Sequence, residues 1–163
     1  MSRVCVGVHV HAEPQRLLST LDSLRVNTAP GYSLLILYDG PDDATRHLLA
    51  SLSDVPLSGT DEPRGTAACF NRLATSSSAG VVVLLESGST VGDSWLNYLL
   101  AALDSGERNG LAGPSTNCSW NEQCVYPDAG GTADEIARTA RAAAMPPGRP
   151  EHATPRAVVS RRR

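Results

Sequence analysis

Apolar runs that alternate with amphipathic helical patterns constrain the fold of this chain more than any other feature of its sequence. Residues 4–10, 33–38 and 81–85 are three runs dominated by Val, Leu and Ile. Between them, leucines repeat at helical spacing, first over 17–24 and again over 48–52. Continuous apolar strands are typical of parallel sheets with both faces covered. The alternation therefore predicts an α/β fold with a mostly parallel, doubly wound, Rossmann-like sheet and helices on both faces.

Length and charge narrow the class of protein. The chain has 163 residues, enough for one domain with a substantial core. Its net charge of −3 gives no reason to expect nucleic acid as a partner. No apolar run is long enough to cross a bilayer, and the first strand pattern begins at once, with a single basic residue and no signal-peptide pattern. We therefore expect no membrane span and a cytoplasmic location.

Polar residues follow the apolar runs at the points where strands are predicted to end. His9 and His11 close the first run, Asp39 follows the second, and Glu86 begins the 86–89 stretch after the third. Ligands of open α/β sheets bind beyond the carboxyl ends of the strands. His9 and His11 alternate with Val residues, so both imidazoles are predicted to lie on the same face of the sheet. This edge is the predicted binding site.

Five segments in order resemble the family 2 glycosyltransferases, which have the GT-A fold. The segments and the family patterns that they resemble are 4–13 (the opening strand ending in Pro-x-Tyr-Asn-Glu), 38–45 (Asp-Asp-Gly-Ser-x-Asp-x-Thr), 64–71 (Gly-x-x-x-Ala-x-Asn), 84–96 (the Asp-x-Asp stretch with the following Trp-Leu) and 110–117 (the Gly-Pro-x-x-Asn loop). The resemblance runs over residues 4–123. It implies the N-terminal, nucleotide-binding half of such an enzyme, cut short before the second half.

The resemblance also implies a nucleotide-binding role for five residues. His9 and His11 would line the base pocket, and Asp39 would contact the nucleoside. Gly65 would let the backbone approach the ligand, and Asn71 would help to order the site. The residue types alone also allow plainer interpretations: structural histidines, Asp39 in a turn, Gly65 at a helix start and Asn71 in an ordinary hydrogen bond.

The metal site that the resemblance implies is degenerate. Family members hold Mg²⁺ or Mn²⁺ through Asp-x-Asp, where the cation stabilises the diphosphate leaving group. Here Glu86 stands at the first Asp and Gly88 at the second, metal-binding one. A divalent cation held by Glu86 and substrate phosphates is still conceivable, because Mg²⁺ often binds through one carboxylate. Gly88 weakens this prediction.

No catalytic residue is assigned from the sequence. The family takes its catalytic base from a segment well after the Gly-Pro-x-x-Asn loop. The carboxylates after that loop match no motif, and they are Asp128, Asp134, Glu135 and Glu151. We therefore expect either a glycosyltransferase, in a partial or inactive form, that uses a UDP-type nucleotide sugar and an unidentified acceptor, or a non-catalytic nucleotide- or sugar-binding module.

Other enzyme classes fit the sequence less well. A response-regulator-like or methyltransferase-like domain would share the strand and helix pattern. However, the first strand is followed by no G-x-G-x-x-G loop. A serine hydrolase is disfavoured because the chain has no G-x-S-x-G turn.

The remaining expectations concern the organisation of the chain. We predict a nucleotide-sugar-binding domain over 1–127, a helical extension over 128–145, and a disordered basic tail over 146–163, which is rich in Pro and Arg. Cys118 and Cys124 could pair in a hairpin disulfide, join a metal site or remain free thiols. An exposed apolar sheet edge would favour a homodimer.

Overall fold

The computed structural model of the chain describes residues 3–114, 132, 134, 135, 138 and 157–161. Helices and strands alternate along it as the apolar pattern predicts. In chain order they are β1 (Val4–Val10), α1 (Pro14–Asn27), β2 (Tyr32–Asp39), α2 (Asp43–Ser51), β3 (Leu57–Thr60), α3 (Thr66–Ser76), β4 (Val81–Glu86), α4 (Trp95–Asp104), β5 (Leu111–Ala112) and β6 (Ala157–Arg161).

The sheet has the order β3-β2-β1-β4-β6-β5. Strands β1 to β4 are parallel, and β6 runs antiparallel to both β4 and β5. β1 lies between β2 and β4: it pairs with β2 over its whole length and with β4 from Val4 to His9. The predicted mostly parallel, doubly wound α/β sheet is confirmed. Because parallel neighbours end at the same edge, the last residues of β1, β2 and β4 meet there.

Alternate residues of β1 face two different hydrophobic cores. Val6, Val8 and Val10 are fully buried in a core that includes Leu17 of α1 and Trp95 of α4. On the other face, Cys5 packs in a core with residues of α3 and β4. The helices therefore cover both faces of the sheet, as the continuous apolar strands predict.

Gly7 lets α3 lie close to β1 on the second face. A Cβ atom at Gly7 would lie 2.7 Å from Cδ2 of Leu73 and 2.9 Å from Cδ1 of Leu37. Both leucine side chains are fully buried and hold well-packed positions in the core. The absence of a side chain at Gly7 thus sets the distance between α3 and the sheet.

The loop after β4 is held against α1 by side-chain hydrogen bonds. The hydroxyl of Thr20 accepts a hydrogen bond from the backbone N–H of Gly88 at 2.9 Å. Asn27 Nδ2 donates to the carbonyl of Val91 at 2.9 Å. These contacts satisfy backbone groups that no strand or helix pairs, so the loop keeps one defined path beside the carboxyl end of β4.

One stretch differs from the sequence-based expectations. The predicted disordered tail contains a strand at Ala157–Arg161, whose backbone pairs with β4 over Val81–Leu85. A sheet edge offers unpaired N–H and C=O groups to any extended segment, and composition does not reveal that pairing.

Most of the predicted helical extension lies outside the described residues. Within it, Asp134, Glu135 and Arg138 are helical. Thr132 and Glu135 form a reciprocal N-terminal cap, because the Thr132 hydroxyl and N–H donate to Oε2 of Glu135, and the Glu135 N–H donates back to the hydroxyl. Cys118 and Cys124 also lie outside the described residues. No helix within the described ranges is long and apolar enough to cross a bilayer.

Replacing Gly7 with Ala should overpack the contact between β1 and α3. We expect the free energy of unfolding to fall by about 1–3 kcal/mol, because the added Cβ atom forces the fully buried side chains of Leu73 and Leu37 to shift. Urea denaturation measures this change. Gly80→Ala is the control, since a Cβ atom there meets nothing within 4 Å, and its effect should stay within about 0.5 kcal/mol. Equal effects of the two substitutions would contradict the packing argument.

Candidate functional site

The carboxyl ends of three neighbouring parallel strands bring together His9, Asp39 and Glu86. His9 lies beside Glu86 in the register of β1 and β4, and Asp39 is the last residue of β2. His9 is 8% exposed and Asp39 is 2% exposed. The sequence predicted that this edge carries the site, and the structure places these three predicted residues in one cluster.

The imidazole of His9 lies between the two carboxylates. Its Nδ1 donates a hydrogen bond to Oε2 of Glu86 at 2.6 Å, and its Nε2 lies 3.6 Å from Oδ2 of Asp39. The hydrogen bond with Glu86 is the main reason that the pKa of His9 is raised above 6.5; burial opposes it, and the negative charges of Glu86 and Asp39 add to it. A protonated His9 therefore neutralises part of the buried negative charge.

The carboxylate of Asp39 holds the start of α3. Its Oδ1 accepts the N–H of Arg64 and its Oδ2 accepts the N–H of Gly65, each at 2.7 Å. Burial acts to raise the pKa of Asp39, but these two donors and the charge of His9 together hold it below 3.8. The partners lie 25 and 26 residues away along the chain. Asp39 is therefore not a simple turn residue.

Gly65 is the N-cap of α3, with φ +85° and ψ 166°. This backbone conformation is essentially restricted to glycine. The conformation points the N–H of Gly65 at Asp39, so the glycine supports the cluster by its backbone geometry. Gly65 begins α3, one of its two predicted roles; the predicted approach of its backbone to a ligand stays a prediction.

His11 lies at the surface beside the cluster. Its Nδ1 donates to the backbone carbonyl of Asp39 at 2.6 Å, and since a carbonyl only accepts, Nδ1 carries the proton. The residue is exposed, so its imidazole is accessible from solvent beside the cluster. Asn71 is different: it lies on an exposed part of α3, and no hydrogen bond within the described ranges joins its side chain to the cluster.

The residues at the degenerate Asp-x-Asp position do not fit Mg²⁺ or Mn²⁺. Glu86 is bonded to His9, and Gly88 has no side chain to offer. Gly88 also has φ +91°, and a Cβ atom there would lie 3.2 Å from Cδ of Arg16. One carboxylate next to two basic side chains is a poor environment for a hard dication, which prefers several oxygen ligands.

Sequence reasoning missed the proximity of Cys69. Its thiol and the ligand atoms of His9 and Asp39 all lie within 4.8 Å of one another. Cys69 is fully buried, and burial raises the pKa of its thiol to about 11. The sequence indicated only a small buried residue. The available signal in the sequence was the spacing: Cys69 lies four residues after Gly65, in the first turn of α3, and Asp39 binds the start of that helix.

Comparison with known proteins identifies a protein family for this chain and solved structures with a similar fold. A sequence profile described as glycosyl transferase family 2 matches residues 5–141. A mannosyltransferase from Pyrobaculum calidifontis, in complex with GDP-Man and Mn²⁺, has a similar structure, with a TM-score of 0.60, 18% identity, and coverage of 98% of this chain and 44% of its own. A comparison with curated protein sequences found no match.

Two structures of TarS from S. aureus share the same fold. TarS 1–349 has a TM-score of 0.53 and 16% identity, with coverage of 64% of this chain and 33% of its own. The UDP complex of TarS 1–349 has a TM-score of 0.53 and 14% identity, with coverage of 68% and 34%. This chain therefore spans less than half the length of each of these three structures.

The raised pKa of His9 predicts that the fold loses stability as the pH rises. A group whose pKa is higher in the folded state contributes its full stabilisation below the unfolded value, here 6.5. That contribution disappears as the pH rises through the folded pKa of His9. Asp39 acts in the opposite direction, because its stabilisation is present above 3.8 and is lost as the pH falls through its lowered pKa.

Urea denaturation in metal-free buffer, from below pH 6.5 upwards, measures this dependence. In His9→Gln, the free energy of unfolding should decrease less as the pH rises. His47→Gln is the matched control, because His47 is exposed and also bonds to a backbone carbonyl. A dependence that survives in His9→Gln would remove His9 as its source.

Restoring an aspartate at position 88 should not restore a metal site. Gly88→Asp forces a side chain into a positive-φ position against Arg16, so we expect a loss of about 1–3 kcal/mol in the free energy of unfolding. We also expect no gain in Mg²⁺ affinity by titration calorimetry. Gly110→Asp is the control, since nothing lies within 4 Å of a Cβ atom there. Tight Mg²⁺ binding by the Gly88→Asp protein would contradict the geometry.

Proposed function

Because this chain belongs to glycosyl transferase family 2, we propose that it binds a nucleotide sugar and acts as the donor-binding part of a glycosyltransferase. The sugar would pass to an acceptor that remains to be identified. The observation that carries this proposal is the polar cluster at the carboxyl ends of β1, β2 and β4. In open α/β sheets this is the edge where ligands bind.

The nature of the nucleotide is supported by the structural neighbours. The P. calidifontis mannosyltransferase binds GDP-Man, and one TarS structure binds UDP. Both ligands contain a nucleoside diphosphate, so we propose that class for this chain. Within it we favour a UDP sugar; UDP is the nucleotide of one TarS complex.

His11 is the side chain best placed to contact the base or ribose. It is exposed, and its hydrogen bond to the carbonyl of Asp39 orients the ring and leaves Nε2 as an acceptor. We propose that the adjacent Arg64–Gly65 backbone forms one wall of the pocket. Asp39 lies beneath it, and its buried carboxylate supports the wall through two hydrogen bonds. The proposed nucleoside contact of Asp39 would use its remaining lone pairs.

His9 and Asn71 are the two remaining residues that we propose for nucleotide binding. His9 would supply positive charge under the pocket, because it is held between Glu86 and Asp39. Asn71 would contribute from the exposed side of α3. No catalytic base is assigned. Among the carboxylates considered for that role, Glu135 caps its own helix by bonding to Thr132.

A non-catalytic nucleotide- or sugar-binding module is the second candidate. It is favoured by a specific observation: Glu86 is bonded to His9, and Gly88 cannot ligate a metal. Without a dication on the diphosphate, stabilisation of the leaving group would be weak, whereas recognition of the nucleoside needs only the residues around His11 and Asp39.

The oligomeric state and the location of the protein are two further proposals. An apolar side chain is exposed on each outer strand of the sheet, Leu57 on β3 and Leu111 on β5. Edge pairing through either strand would give a homodimer, which light scattering at several concentrations can test. A cytoplasmic location is the other proposal.

Titration calorimetry with UDP and GDP, each with and without Mn²⁺, tests the binding proposal. We expect UDP to bind, with an affinity that Mn²⁺ leaves nearly unchanged. His11→Ala should lose roughly tenfold in affinity, the scale of one hydrogen bond to a ligand. His47→Ala is the matched control, because it removes an exposed imidazole that also donates to a backbone carbonyl.

The outcomes separate the candidates. Binding that strengthens strongly with Mn²⁺ would show that Glu86 holds a cation and would contradict the metal argument. Equal losses in His11→Ala and His47→Ala would remove His11 from the pocket. No binding of UDP or GDP by the wild-type chain would overturn nucleotide binding in both candidates and leave only a sugar-binding module.

A further inference from the structure

His9, Asp39 and Cys69 come from three separate elements and converge on one buried point. His9 belongs to β1, Asp39 ends β2, and Cys69 lies in the first turn of α3. One ligand atom from each lies within 4.8 Å of the others, and the three residues are 8%, 2% and 0% exposed. From this geometry we propose that they bind a divalent transition metal ion of the Zn²⁺ class.

The distances suit coordination better than direct hydrogen bonding. Nε2 of His9 and Oδ2 of Asp39 are 3.6 Å apart, which is too long for a good hydrogen bond. Two ligands of a tetrahedral ion with bonds of about 2.0–2.3 Å lie roughly 3.3–3.8 Å apart. An ion placed between the two atoms would therefore bind both with little movement of the strands.

The Nε2 atom of His9 provides an independent sign of a missing partner. It is buried and makes no hydrogen bond, although buried polar atoms are nearly always paired. The residue is also more than nine-tenths buried, and Nε2 faces the side chain of Asp39. A cation at this point would satisfy the atom.

The surrounding contacts resemble the outer shell of known metal sites. A ligating histidine usually donates its other ring N–H to a carboxylate, which fixes its tautomer. Nδ1 of His9 does this to Glu86 at 2.6 Å. The N–H groups of Arg64 and Gly65 likewise hold the carboxylate of Asp39 in place. Oδ2 of Asp39, which lies nearest to Nε2 of His9, accepts one of these hydrogen bonds and keeps a second lone pair for a metal.

The donor set selects the metal class. A thiolate, an imidazole and one carboxylate favour Zn²⁺ or Co²⁺ over Mg²⁺ and Mn²⁺, which prefer oxygen ligands. Ionised Cys69 and Asp39 would balance the charge of the ion inside the protein. Three protein ligands leave a fourth position open for water or a ligand oxygen. The site shares His9 and Asp39 with the proposed nucleotide pocket, but it does not depend on nucleotide binding.

Co²⁺ titration of the full chain tests the site, without nucleotide, by the thiolate-to-cobalt absorption in the near ultraviolet. The background is Cys118→Ser/Cys124→Ser, because those thiols could bind the ion elsewhere. We expect one Co²⁺ per chain, with the absorption abolished by Cys69→Ala. Cys5→Ala is the matched control, since Cys5 is buried in the same core but lies outside the cluster, and it should retain the absorption.

Two further variants keep the test decisive if Cys69→Ala does not fold. His9→Gln retains the thiol and should lose tight binding. Glu86→Gln should keep the absorption but weaken Co²⁺ affinity roughly 10- to 100-fold, as expected for an outer-shell partner. Zn²⁺ should raise Tm in the background protein and in Cys5→Ala, raise it less in Glu86→Gln, and leave it unchanged in Cys69→Ala and His9→Gln. Circular dichroism in chelator establishes which variants are folded.

Absence of the thiolate-to-cobalt absorption from the background protein would overturn the proposal. So would an absorption that is unchanged in folded Cys69→Ala or folded His9→Gln. Because no nucleotide is added, these results are independent of whether the chain binds UDP.

Discussion

The two hydrogen bonds from the start of α3 to Asp39 are the interaction on which the rest of the site depends. A buried carboxylate stays charged only when donors and opposite charge surround it. The N–H groups of Arg64 and Gly65 and the imidazole of His9 supply both. These contacts fasten the end of β2 to α3, and they require the unusual backbone conformation of Gly65. The direction of α3, and therefore the position of Cys69, follows from them.

The same cluster explains how this chain departs from the family pattern. His9 lies inside the protein and pairs with Glu86, the carboxylate at the first Asp-x-Asp position. Gly88, at the second position, is bound through its N–H to Thr20 and has Arg16 beside it. The loop is therefore shaped by contacts with α1 and not by ligands for an external cation. The imidazole of His9 lies beside the carboxylate where a hard metal ion would be expected.

Structural and functional roles overlap in the cluster, which affects how variants are interpreted. Asp39 supports α3 and is also a proposed nucleotide and metal contact, so its removal would change stability and binding together. His11 is more informative, because it is exposed and its side chain donates to a backbone carbonyl and not to another side chain in the described contacts. Cys69 can be compared with Cys5 in the same core. Such pairs separate a loss of binding from a loss of fold.

The sequence by itself determined the architecture and the sheet edge on which the candidate site lies. Apolar runs such as Val4–Val10 can be buried on both faces only in a covered parallel sheet, and strand ends of such a sheet meet at one edge. Only the tertiary structure decided which side chains pair there. The bonds from His9 to Glu86 and from Asp39 to Gly65 join residues 77 and 26 positions apart, and the approach of Cys69 depends on them. The apolar pattern of a segment shows which of its faces is buried. Contacts between side chains of different strands and helices depend instead on how those elements pack against one another.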